Sequence, residues 1–168
     1  HTASVVDQST TTNRILGALS VTQPSATGIV WKKDESKDIN WTATGQMDPQ
    51  ELHYSIDRGS NFPGPNLIAS LTGGQLANSG DGAQTYSWTI PNEKVETARV
   101  RVRDPNYVLD VFDVSDNDFA IRPDLSVTLP SAGADLSVNS SGHTIRIVRN
   151  RPKITNVELE YSLNGGSD

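Results

Sequence analysis

ELHYSIDRGSNF, from Glu51 to Phe62, is the stretch whose reading decides the fold. Within it, Ser55-x-Asp57-x-Gly59-x-x-Phe62 fits the Asp-box pattern of Ser-x-Asp-x-Gly-x-x-aromatic. In a β-propeller such a hairpin recurs once per blade, at intervals of roughly 40–50 residues. Here a near-copy, ELEYSLNGGSD, runs from Glu158 to Asp168, so the recurrence is at 107 residues. That interval is too long for a blade. The motif has a plain structural meaning, because Ser and Asp side chains bond the backbone of a tight turn and Gly supplies positive φ. In the second copy Asn164 stands where Asp57 was, and it too can cap a turn. Alternation before the turn places Leu52, Tyr54 and Ile56 inward, with Glu51, His53, Ser55 and Asp57 outward.

The duplication extends beyond the hairpin. LSVTQPSA (Leu19–Ala26) and LSVTLPSA (Leu125–Ala132) differ at one position and lie 106 residues apart. The same offset sets Ile39 against Ile145, and one inserted residue later Glu51, Leu52, Tyr54 and Ser55 fall on Glu158, Leu159, Tyr161 and Ser162. Run backward, it sets Val5, Asp7, Ser9 and Ile15 on Val111, Asp113, Ser115 and Ile121. The chain therefore reads as part of an array of repeats. Residues 1–18 are the expected terminal strand of a preceding repeat or an N-terminal extension. Residues 19–123 are the expected complete module, and 124–168 the first strands of a second, incomplete one.

Within the complete module, short alternating runs separated by turn residues predict an all-β, antiparallel sandwich of seven to nine strands. KDINWTA sets Ile39 and Trp41 on one face, QTYSWTIP does the same for Tyr86, Trp88 and Ile90, and ARVRVRD points Val100 and Val102 inward and Arg99, Arg101 and Arg103 outward. No segment carries helical periodicity over 11 residues. Trp31, Trp41, Trp88, Tyr54 and Tyr86 are read as packing between the sheets. The glycine-rich stretch from Leu71 to Gln84 is expected to be a mobile loop.

Composition narrows the function. A net charge of −6 argues against nucleic-acid binding, which needs clustered Lys and Arg. The chain has no cysteine, hence no disulfide, no thiolate metal site and no cysteine nucleophile. No run approaches the roughly 18 apolar residues of a membrane helix. The first residues show neither a basic start nor an apolar run, so they are not read as a signal peptide.

The order P…W…INW…YSID-x-G…YSWTIP…ARVRVRD…DVSDNDFAI resembles the immunoglobulin-like tandem repeats of large prokaryotic surface proteins of surface-layer and adhesin type. It is also similar to the N-terminal domain of fungal Ser/Thr-rich, GPI-anchored cell-wall proteins. The resemblance covers Leu19–Ile121 well and Leu125–Asp168 partially. It implies an Ig- or fibronectin-III-like sandwich serving as an extracellular spacer, lattice or adhesion module, with no catalytic residues. The expected partners are neighbouring copies or adjacent repeats, and cell-surface glycans. The alternative reading is an accessory or carbohydrate-binding sandwich of a secreted hydrolase, which needs a strip of exposed aromatics. Trp31 and Tyr107 are the candidates for such a strip.

Chemistry has one place to gather. RDPNYVLDVFDVSDNDFAI holds Asp104, Asp110, Asp113, Asp116 and Asp118. Calcium takes six to eight hard oxygens from such closely spaced carboxylates and loop carbonyls, so these are the candidate ligands of a structural calcium ion. The spacing lacks the Gly and terminal Glu of an EF-hand, and the same residues also read as the outward side chains of a solvated turn. No nucleophile elbow, phosphate-binding loop or His-Glu-x-x-His motif is present, and the sequence points to no enzyme.

Overall fold

The structure is a computed structural model that describes residues 14–137, 141–149 and 155–163. Most of the expected terminal strand in residues 1–18, and the second turn at 164–168, lie outside the described residues. Nine strands occupy residues 18–122: β1 (Ala18–Gln23), β2 (Val30–Lys32), β3 (Ser36–Thr44), β4 (Gln50–Ser55), β5 (Leu67–Leu71), β6 (Gly82–Thr89), β7 (Val95–Arg103), β8 (Phe112–Val114) and β9 (Phe119–Arg122). Two more follow, β10 (Leu125–Leu129) and β11 (Arg146–Arg149). No α-helix occurs among the described residues, and no helix is long and apolar enough to cross a membrane.

One sheet has the order β1-β3-β6, and the facing sheet the order β2-β9-β7-β4-β5. The edge of β7 is shared, with β9 pairing at Val95 and Ala98 and β8 pairing at Arg101–Arg103. All pairings are antiparallel but one. The short β2 runs parallel to β9, Trp31 beside Ile121, the one parallel edge of an otherwise antiparallel sandwich among the described strands. The cause is topological: after β1 the chain crosses to the other sheet before turning back into β3.

The core between the sheets is built by the predicted alternation. Ile39 and Trp41 from β3 meet Leu52 from β4, Val100 and Val102 from β7, and Phe119 and Ile121 from β9. Trp88 stands edge-on to Trp31, ring centroids 6.1 Å apart, and tilts against Tyr54 at 5.3 Å; Trp31 also packs on Phe119 at 4.8 Å. The one large polar side chain fully enclosed here is Gln50. Its Oε1 accepts the Trp41 indole N–H at 2.6 Å, and its Nε2 donates to the carbonyls of Met47 and Gly80, both at 2.9 Å. A buried amide costs little when its groups are all paired. Gly80 has to be glycine: its φ is +81°, and a Cβ there would sit 1.9 Å from the Met47 oxygen.

The stretch between β5 and β6 is less open than a glycine-rich loop suggests. It forms two short 3-10 segments, Gly73–Gln75 and Ala77–Gly80, and Leu76 enters the core. Gln84 braces it by accepting from Ala77 N–H and donating to the carbonyls of Ala77 and Asp81, while Asp48 accepts from Gly73 N–H.

The strands after the sandwich repeat its first pairing. β1 pairs β3 with Leu19 opposite Ala43, Ser20 opposite Thr42 and Val21 opposite Trp41, then slips so that Gln23 meets Asn40. β10 pairs β11 with Leu125 opposite Arg149, Ser126 opposite Val148 and Val127 opposite Ile147, then slips so that Leu129 meets Arg146. Each partner of the second ribbon is the first ribbon's partner advanced by 106, the irregularity included. β10 and β11 pair only with each other among the described strands.

Candidate functional site

The acidic segment is a set of clamps. Asp104 is buried at the end of β7 and accepts the Asn106 N–H at 2.7 Å, closing the turn that Tyr107 N–H completes on the Asp104 carbonyl. Asp110 pairs with Arg14 at 2.9 Å, and the same guanidinium lies over the Tyr107 ring. Asp113 on β8 accepts the Val21 N–H at 2.7 Å, at the point where β1 slips register, and so ties the two sheets together. Asp116 offers its backbone N–H to Ser25, whose carbonyl also receives the Asn117 amide. Asp118 lies between Arg99 at 2.7 Å and Arg58 at 2.9 Å. The five carboxylates are thus spread along the segment, and no group of three or more metal-binding side chains comes together among the described residues.

The Asp-box hairpin is built from its own side chains. Ser55 Oγ donates to Asp57 at 2.5 Å and accepts the N–H groups of Asp57 and Gly59. Asp57 accepts from both the backbone and the side-chain amide of Asn61, at 2.9 and 2.6 Å. The Ser55 and Asn61 donors hold the Asp57 carboxyl down to about 2. The inward assignment of Ile56 is corrected, because the strand ends at Ser55 and Ile56 turns outward into the bend.

The outward assignment of His53 and Ser55 is corrected as well. Both are buried, although they stand on the face of β4 opposite the core residue Leu52. The reason is a roof. Across β4 and β7, Glu51, His53 and Ser55 stand opposite Arg103, Arg101 and Arg99. The aromatic that closes the Asp-box, Phe62, lies over the Arg101 guanidinium, its ring centroid 4.2 Å away. Arg103 grips Glu51 at 2.7 Å, and His53 Nε2 lies 3.2 Å from the same carboxylate. Burial works against Glu51, but Arg103 and His53 outweigh it and its acidity is raised. Burial, then Arg103 and Arg101, hold His53 below the ordinary imidazole range against the pull of Glu51, so at neutral pH its link to Glu51 is a hydrogen bond rather than an ion pair. Among the described residues, Arg101 forms no ion pair with a carboxylate. Its Nε and His53 Nδ1 are buried without a hydrogen-bond partner. The alternation Arg-x-Arg-x-Arg was visible in the sequence; its roof was not.

The tryptophans do not form a platform. Trp31, Trp41 and Trp88 are all in the core, and the half-exposed Tyr107 is covered on one face by Arg14.

A different surface is open. Val127, Ile145, Leu159 and Tyr161 line an apolar cavity of about 320 Å³ together with Pro130, Leu136 and His143. The first three are 60%, 55% and 56% exposed, and Tyr161 is 85% exposed. By the repeat they correspond to Val21, Ile39, Leu52 and Tyr54, of which the first three are fully in the core and Tyr54 packs against it.

No family profile matches this chain, and no curated protein does. Among solved structures it is similar to one described as "Structures of Clostridium thermocellum CbhA fibronectin(III)-like modules", at 12% identity and a TM-score of 0.32. The match takes in 67% of this chain and 52% of that one, so it spans about half the length of that structure.

Proposed function

We propose that this chain is a non-catalytic structural segment of an extracellular surface protein of surface-layer, sheath or adhesin type, in which β-sandwich modules succeed one another and associate through their faces. One observation carries the reading: β10 and β11 repeat the strand register of β1 and β3, and the repeat counterparts of core side chains, Val127, Ile145 and Leu159, form an uncovered apolar face. A face of that kind is a contact surface, since apolar area left in water favours association. Its natural cover is a set of strands of the β6–β9 type, supplied by an adjoining repeat or by a neighbouring copy. The acidic clamps favour a mechanical role, because Asp113, Asp118 and Asp110 each fasten segments far apart in the chain. The accessory carbohydrate-binding reading has less support, since its candidate Trp31 is in the core and Tyr107 lies under Arg14.

Sedimentation velocity tests the proposal. The chain should self-associate with rising concentration, and the double variant Ile145→Asp/Leu159→Asp should remain monomeric with an unchanged sandwich melting transition. A chain that stays monomeric at every concentration, with Ile145 and Leu159 shielded from solvent, would contradict it.

A further inference from the structure

Among the described residues, the roofed face of β4 and β7 carries more positive side chains than negative ones. Four arginines, Arg58, Arg99, Arg101 and Arg103, share it with two carboxylates. Asp118 is taken by Arg58 and Arg99, and Glu51 by Arg103 with His53. Arg101 forms no salt bridge among the described residues and lies against the Phe62 ring, with Glu51 acting on it only at longer range. His53 stands directly opposite Arg101 across the strand pair, and each carries one buried nitrogen without a hydrogen-bond partner. The imidazole is 4% exposed, and a polar atom so enclosed requires a partner.

The chemistry of that partner follows from the donors. Arg101 Nε–H can only donate. With His53 Nε2 turned to Glu51, Nδ1 accepts when the ring is neutral and donates when it is protonated. In the first state a water could accept from Arg101 Nε–H and donate to His53 Nδ1. In the second, two cross-strand residues each offer a buried N–H donor beside a cationic guanidinium, a donor set suited to a carboxylate, sulfate or phosphate oxygen. The other groups around the imidazole do not compete. On β4 itself the neighbour is Glu51, and β7 presents Arg101 and Arg103. On β8, Val114 and Phe112 are their apolar cross-strand partners. The sequence of β5, LIASL, carries no titratable group, and the covering loop contributes Phe62.

We propose that His53 and Arg101 form a proton-coupled oxyanion site, which holds a carboxylate, sulfate or phosphate group between imidazole Nδ1–H and guanidinium Nε–H beneath Phe62. Phe62, on the loop between β4 and β5, governs entry. The site is independent of how modules are joined, so it stands or falls apart from the assembly proposed above. Because linkage is reciprocal, an anion that favours protonated His53 is itself bound more tightly by the protonated protein.

Inorganic sulfate is the probe, added to the whole chain at constant ionic strength, with the His53 ring and Arg101 Nε–H resonances followed by NMR. His53 is told from His1 and His143 by the signals lost in His53→Gln. The expected result is saturable binding about tenfold tighter near pH 5.5 than near pH 8, with the His53 titration moved upward by sulfate. Arg101→Gln should weaken it about tenfold, and Phe62→Ala should leave the affinity in place while speeding exchange. Acetate should compete with sulfate. An absence of saturable shifts at either pH, or shifts that survive Arg101→Gln, would overturn the site and leave a buried water there. Should Arg101→Gln fail to fold, the wild-type comparison of the two pH values decides alone.

Discussion

Val21 and Val127 occupy the same place in two ribbons of the same register, yet Val21 is 4% exposed and Val127 is 60% exposed. The pairing of β1 with β3, and of β10 with β11, joins segments about twenty residues apart, and it is written in the strands themselves. Burial is not. Val21 is covered by strands that enter from the opposite sheet, 30 to 100 residues further along. The pair at the heart of the first module shows the same division. Trp41 and Gln50 exchange a buried hydrogen bond, while their counterparts in the second copy are Ile147 and Val157, which have no polar group to satisfy. Replacing both partners of a buried polar pair together is tolerated far better than replacing one. The two copies therefore hold alternative solutions to one core position.

Substitutions at matched positions sharpen or break this contrast, with folding followed by urea denaturation. Trp41→Ala should cost about 3–5 kcal/mol, whereas Ile147→Ala, at a half-covered position, should cost less than about 1 kcal/mol. Equal losses would mean that the second ribbon has a core of its own. Gln50→Val strands the Trp41 indole N–H and the carbonyls of Met47 and Gly80, and should cost at least about 2 kcal/mol. Its mirror image, Val157→Gln, should be close to neutral. Asp113→Ala removes the acceptor for Val21 N–H and should cost about 1–3 kcal/mol, with β1 losing hydrogen-exchange protection first.

Acid separates the two regions further. His53 in the folded sandwich binds its proton less readily than in the unfolded chain, so the unfolded state takes up more protons as pH falls. The stabilisation is complete above the unfolded value of about 6.5 and is lost as pH falls through the depressed folded value. His53→Gln should flatten that limb of the stability curve. Asp57 acts lower: its contribution is present above the ordinary carboxylate range and disappears as pH falls to about 2. The smallest effect is expected from calcium. With Asp110, Asp113 and Asp118 already engaged by Arg14, Val21, Arg58 and Arg99, millimolar calcium should leave the calorimetric melting temperature unchanged, while a rise would restore those carboxylates as ligands.

What was legible in the sequence was local. Alternation identified Ile39, Trp41, Val100 and Val102 as core, and turn chemistry identified the Asp-box as a hairpin. What was not legible depended on partners remote in the chain. His53 reads as an outward residue until Phe62 and Arg101 roof it, and the loop before β6 reads as mobile until Gln84 and Gln50 pin it. The contacts of the acidic segment were hidden for the same reason. Arg14 and Val21, which claim Asp110 and Asp113, lie more than 90 residues upstream. The parallel placement of β2 against β9 likewise carries no local mark, since three residues cannot show direction.

The central claim, one pairing pattern with and without a covering sheet, is tested most directly by amide hydrogen exchange, residue by residue, on the whole chain at several concentrations. The prediction is slow exchange at Val21 and Trp41 at every concentration. At Val127 and Ile147 exchange should be fast in dilute solution, with protection that grows as the protein associates. Equal, concentration-independent protection of the two ribbons in the monomer would contradict the account.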